Sequence, residues 1–266
     1  MTRSSLQRKA LDDLVDAFHH WRIWWLLGIG DIRQRYSRSR LGQFWITVSM
    51  AFFVVAIGSV WALIFNQPID KFLPYISANY IVWALITGLI LDSISVFTGS
   101  EPFLRQVALP KTVFVLRMLV RGLTSFAHNV VIVPIVLLVL GAPISWTWLL
   151  VPVGLLLVVT AGFLLAFVLG ILCTRFRDLP QVVNNLVQVA FFVTPVVWPA
   201  DVLRQRFPAI LDYNPFAAFL QVISQPMLGE IPSRWTYGLA VVTTLLLAAV
   251  AWPVFVRFRA RIVYWL

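Results

Sequence analysis

Four arginines recur within eight residues of the run Asp31-Ile-Arg-Gln-Arg-Tyr-Ser-Arg-Ser-Arg-Leu-Gly-Gln-Phe-Trp45. A guanidinium presents a planar fork of donors that suits phosphate in a bidentate manner. Arg33, Arg35, Arg38 and Arg40 are therefore candidates for holding an anionic group that arrives beside them. Arginines flanking an apolar run are also ordinary topology anchors, and that reading stays open for each of the four. A second chemistry comes from aromatic faces, which stack on the apolar faces of sugar rings. Trp45, Phe52, Phe53, Trp61, Phe191 and Phe192 are the candidates, and interfacial belts are the plain use of such residues in a chain with 12 tryptophans. Asp92 is the one carboxylate well inside an apolar run. It either faces the interior, paired with Arg117 or Arg121, or sits solvated near the inner headgroups.

Other chemistries are missing. There is no Gly-x-x-x-x-Gly-Lys-[Ser/Thr] loop to cradle ATP. His19, His20, His128 and the single cysteine, Cys173, fall in no metal-ligand spacing, and Cys173 has no disulfide partner within the chain. Asp12-Asp13 reads as a pair of solvated acids favourable to a helix dipole, not as a metal site.

The elements that must carry these residues are membrane helices. The chain has 266 residues, 60% apolar and 12% charged, against about 25% charged in a soluble domain. Its mean hydropathy is +0.87. An apolar core of roughly 30 Å needs about 20 residues of helix. Six stretches qualify, at about 42–65, 78–100, 118–140, 148–172, 181–199 and 236–256. The expected fold is an all-α membrane protein with residues 1–40 as a cytoplasmic segment and 41–266 as the six-helix domain. With the N-terminus inside, 17 of the 21 basic residues fall on the inner side. Both termini are then cytoplasmic, and the net charge of +10 reads as topology, not as a nucleic-acid surface. No secretory signal is readable in the charged first 20 residues.

Five further features stand out. Leu11, Leu14, Val15, Phe18, Trp21 and Trp25 recur at helical spacing, which predicts an amphipathic helix lying on the inner leaflet. Residues 101–111 form a short loop bounded by prolines, with Glu101, Phe103, Leu104, Arg105, Pro110 and Lys111 suited to docking in a groove on a soluble partner. Residues 200–232 are apolar yet too short to span, which predicts a helical hairpin re-entering from outside. The proline-rich stretch Phe191–Pro199 should kink where that hairpin begins, a place for an outer gate. Gly162, Ala166 and Gly170 form a small-residue stripe for tight packing within the subunit.

Taken in order, several segments resemble the permease subunits of type-2 ATP-binding-cassette polysaccharide exporters, the O-antigen, capsule and teichoic-acid group. They are residues 31–47, Leu104–Arg117, Phe126-Ala-His-Asn129, Arg175–Gln181 leading to Phe191–Pro199, Asn214-Pro-Phe216 and the tail Arg257–Leu266. Gln43 departs from the proline expected there. The resemblance implies a homodimer in a bacterial inner membrane, working with two copies of a cytosolic ATPase that binds the ATP and Mg; this chain itself binds no cofactor. Residues 101–111 would be the coupling helix, and Pro195, Trp198, Pro199, Asn214, Pro215 and Phe216 would belong to the outer gate. The substrate implied is a polysaccharide on a polyprenyl diphosphate, entering past Arg33, Arg35, Arg38 and Arg40. A permease for a smaller lipid or drug shares six spans and a coupling helix. A membrane-embedded glycosyltransferase would need acidic metal-binding motifs that the sequence lacks.

Overall fold

Backbone crossing an apolar phase must satisfy its own N–H and C=O groups, so long uncharged runs of this kind become helices. The computed structural model describes residues 3–35, 37, 39–199 and 208–266, and its regular elements there are all helical. In chain order they are α1 (Arg3–His19), α2 (Trp21–Arg35), α3 (Phe44–Ile64), α4 (Ile69–Ile94), α5 (Glu101–Gln106), α6 (Thr112–Val130), α7 (Ile132–Val139), α8 (Val151–Arg175), α9 (Leu179–Val193), α10 (Pro208–Asp212), α11 (Pro215–Met227), α12 (Arg234–Phe258) and α13 (Ile262–Trp265). Five helical stretches among the described residues are long and apolar enough to cross a membrane: Phe44–Ile64, Ile69–Ile94, Thr112–Val139, Trp146–Arg175 and Arg234–Trp265.

The element ends differ from the hydropathy reading. The second span begins at Ile69, not near 78, because Pro68 opens the helix and Asp70 sits favourably in its first turn. It ends at Ile94, short of 100. The third begins at Thr112, not near 118, so Arg117 lies inside a helix and not in the loop before it, and Arg121 lies well within the helix. Expected span 181–199 is helical only over the 15 residues of α9, about 22 Å at about 1.5 Å per residue. Pro195 lacks an N–H and forces Thr194 into extended backbone, and there the helix stops. The coupling segment is helical only to Gln106, and Val107 is extended. The single N-terminal helix is two, α1 and α2, broken at His20 and held by the Trp24 Nε1–H donating to Ala17 O at 3.0 Å.

Helix α4 is the hub, touching α3, α6, α8, α9 and α11 and buried along most of its length. The stripe on α8 is what brings it close. A Cβ on Gly162 would lie 2.9 Å from Leu89 of α4, and one on Gly170 would lie 2.5 Å from Val96. α2 lies against α6, where a Cβ on Gly28 would meet Val120 at 2.7 Å. Leu11, Val15, Phe18, Trp21 and Trp25 remain exposed along the N-terminal helices, the apolar face expected for contact with a leaflet.

Candidate functional site

The arginine-rich segment is anchored by a carboxylate at its head. Asp31, one turn before the end of α2, accepts a bidentate pair from Arg117 of α6 at 2.8 and 2.6 Å, and a third contact from Arg121 at 3.3 Å. Arg121 also reaches Asp92 of α4, at 3.1 Å through Nε and 2.9 Å through Nη2. Asp92 is thus paired with Arg121, while its side chain stays 36% exposed. Two acids and two guanidiniums bind three helices together. Arg33 and Arg35 follow Asp31 by two and four residues, both exposed, and Arg40 is exposed beyond them. None of these three forms an ion pair among the described residues, so each keeps its donors for another anion. Arg38 lies outside the described residues.

The coupling segment meets the same cluster. Phe103 of α5 lies under the Arg117 guanidinium, 5.4 Å from ring centroid to Cζ. Leu104 is buried, whereas the Glu101–Arg105 pair at 2.9 Å is exposed and contributes little. Pro110 and Lys111 border a cleft of about 460 Å³ shared with α1 and Arg259. Asp13 overturns its expected role. Asp12 is exposed, but Asp13 is buried and caps α6 from a distance, accepting from the N–H groups of Lys111 and Thr112 at 3.1 and 3.0 Å and from the Thr112 hydroxyl at 2.8 Å. Arg259 donates to the same carboxylate at 2.8 Å. Orphan N–H groups at a helix start are an anion site, and here the protein fills it itself. Burial pushes the Lys111 ammonium below its ordinary range, with Asp13 opposing and Arg259 reinforcing the shift.

A groove of about 470 Å³ opens between α3, α4 and α9. Phe53 and Trp61 line it from α3 and Phe191 from α9, so three of the six aromatic candidates come together. Trp45, Phe52 and Phe192 do not line it and are exposed elsewhere. The sequence reading missed the α4 wall. Tyr80 stacks on Phe53 at 4.5 Å, and Trp83 meets Phe191 at 5.8 Å and Phe216 at 6.1 Å. The signal was there: Tyr80, Trp83, Ala84, Thr87, Gly88 and Leu91 fall on one helical face, all lining the groove.

The outer-gate candidates form a knot at the end of α9. The Tyr75 hydroxyl is within 3.0 Å of Pro195 O and 2.8 Å of Trp198 O. Asn214 caps α11 by accepting from Phe216 N at 2.9 Å, while its amide donates to Thr194 Oγ1 at 3.1 Å. Pro215 occupies the first helical turn, where its missing N–H costs nothing. Pro199 borders a polar cavity between α4 and α11. Asn-Pro-Phe is therefore a cap, a helix start and a groove contact in three consecutive residues.

A family model described as ABC-2 type transporter matches residues 22–228, from α2 to the end of α11. The chain is similar to two proteins of Klebsiella pneumoniae, each named O-antigen export system permease protein RfbA. One is 21% identical over 71% of this chain and 74% of its own length, the other 20% identical over 87% and 90%. A Myxococcus xanthus protein of the same name is 22% identical over 71% of this chain and 74% of its own length.

Proposed function

The chain belongs to the ABC-2 type transporter family, and on that footing we propose that it is the membrane subunit of an exporter of lipid-linked polysaccharide. It is a multi-pass membrane protein and a transport component. The observation that carries the substrate reading is the groove of Phe53, Trp61, Tyr80, Trp83 and Phe191, rings that suit successive sugar faces without demanding one sequence of sugars. The names of its relatives point the same way.

In this reading the chain works as a homodimer in a bacterial inner membrane, both termini cytoplasmic, with two copies of a separate ATPase that binds ATP and Mg. The polyprenyl diphosphate docks at Arg33, Arg35, Arg38 and Arg40. Closure of the ATPase pushes on α5, and Phe103 passes the push to Arg117 and so to Asp31 at the base of the docking segment. The glycan moves outward along the aromatic groove and leaves by the Pro195–Pro199 gate. α9 with residues 194–199 makes the sixth crossing, and α10 and α11 form the re-entrant hairpin.

A permease for a small lipid is favoured by one observation, an apolar cavity of about 580 Å³ between α4, α8, α9 and α11. Deletion separates the two. A strain lacking the gene should accumulate lipid-linked glycan inside, and the wild-type chain should clear it. A Tyr80→Ala/Trp83→Ala chain that still assembles with the ATPase should export at least tenfold less. Normal surface glycan in the deletion strain would overturn the polysaccharide reading.

A further inference from the structure

Beyond the aromatic groove, toward the outer gate, a second cavity of about 410 Å³ lies between α4, the residue run after α9 and α11. Its lining is unlike the rest of an apolar chain: Gln67, Asn79, Gln221, Ser224 and Gln225 bring amides and a hydroxyl to one space. The Gln225 side-chain oxygen is buried and has no protein donor. Buried acceptors are ordinarily paired, and Gln225 lines the cavity, so a rotation of its side chain would bring this oxygen to a ligand's O–H. Lys71 and Glu230, one charge of each sign, stand in the lining, and among the described residues no arginine does. The two charges of the described lining balance, and its amides and hydroxyl are neutral.

Amides both donate and accept, as sugar hydroxyls do, so the two sets can satisfy each other without a net charge. Phe72 and Tyr75 supply ring faces in the same wall. They also end a relay of rings that begins in the groove: Trp61 to Phe65 at 5.3 Å, Phe65 to Phe72 at 6.1 Å and Phe72 to Tyr75 at 5.9 Å. The Tyr75 hydroxyl reaches the carbonyls of Pro195 and Trp198, so its bonding ties this wall to the gate. The size is within the usual range for a small-molecule site, about 300–1,000 Å³.

We propose that this cavity is a holding site for an uncharged, hydroxyl-rich saccharide segment of the exported chain, which keeps the glycan from slipping back between strokes. The assignment rests on the polysaccharide reading above. Its test uses the full chain in nanodiscs, probed with carrier-free glycan released by mild acid from the lipid-linked glycan that the deletion strain accumulates. Gln221→Leu/Gln225→Leu should weaken binding at least tenfold and slow the appearance of surface glycan several-fold in the complemented strain. Gln67→Ala, at an exposed position that the fold does not depend on, should weaken binding about threefold and covers the case in which the double variant does not fold. Unchanged binding and unchanged export in Gln67→Ala and in any folded double variant would overturn the holding site and leave the export reading standing. A deletion strain that accumulates no lipid-linked glycan would overturn the export reading, and the holding site with it.

Discussion

Asp31 carries more than its share of charge, because two guanidiniums converge on one carboxylate. Removing one partner of a buried pair strands the other, at a cost of about 3–5 kcal/mol where burial is complete. The Asp31 and Arg117 side chains are 17% and 15% exposed, so Asp31→Asn should fall at the lower end of that range. It leaves Arg117 with no acid and Arg121 with Asp92 alone. Arg117→Gln should cost a comparable amount, and the double variant should melt well above the temperature that adding the two losses gives. Thermal unfolding of the four proteins in detergent reads this directly, and strict additivity would show that the pair is not coupled. Asp13 shows why such residues are hard to read from sequence. Its acceptor role depends on Lys111, 98 residues away, and on Arg259, 246 residues away. A local reading sees only an acid in a charged helix.

Helix packing turns on glycines whose Cα faces a neighbour's backbone. A Cβ on Gly154 of α8 would lie 2.2 Å from the carbonyl oxygen of Val222 in α11, and backbone cannot swing aside as a side chain can. Gly154→Ala should destabilise by about 1–3 kcal/mol by forcing the two helices apart. Gly238→Ala in α12, where a Cβ meets nothing within 4 Å, should be neutral or stabilising by about 0.4–1 kcal/mol. Paired detergent melts check both, and equal shifts would show that the α8–α11 approach is not tight. At this scale the sequence was legible in kind more than in extent. Apolar runs gave five crossing helices, and Gly162, Ala166 and Gly170 gave the close face of α8. Ends were misplaced where charge was taken to mean loop: Asp70 and Lys71 sit in the first turn of α4, and Arg117 sits within α6 because Asp31 of another helix neutralises it. The groove was half legible, since periodicity marks faces but does not say which face meets α3 and α9.

Across the whole molecule, chain ends and charge collect at one end of the bundle. Asp13 of α1 pairs with Arg259 just after α12, and Arg175 at the end of α8 lies over Trp265 of α13. Contact between the first helix and the last requires an even number of crossings. The five long helices of the described residues would alone put the termini on opposite sides, so the proposed topology takes α9 and the turn after it as a sixth passage, a helix too short to cross unaided. In the proposed topology the arginine excess at that same end places it in the cytoplasm. Cysteine labelling tests parity and direction together. Cys173 is buried, and Cys173→Ala clears the background. Ile231 and Tyr264 are 62% and 87% exposed, the first in the turn before α12 and the second beyond its far end. In spheroplasts a membrane-impermeant maleimide should label Ile231→Cys at once and Tyr264→Cys only after permeabilisation. Labelling of Tyr264→Cys from outside would invert the orientation, moving Arg33, Arg35 and Arg40 away from any lipid diphosphate made in the cytoplasm. Labelling of both from one side would mean that α12 does not cross, and the parity that makes α9 a crossing would fail.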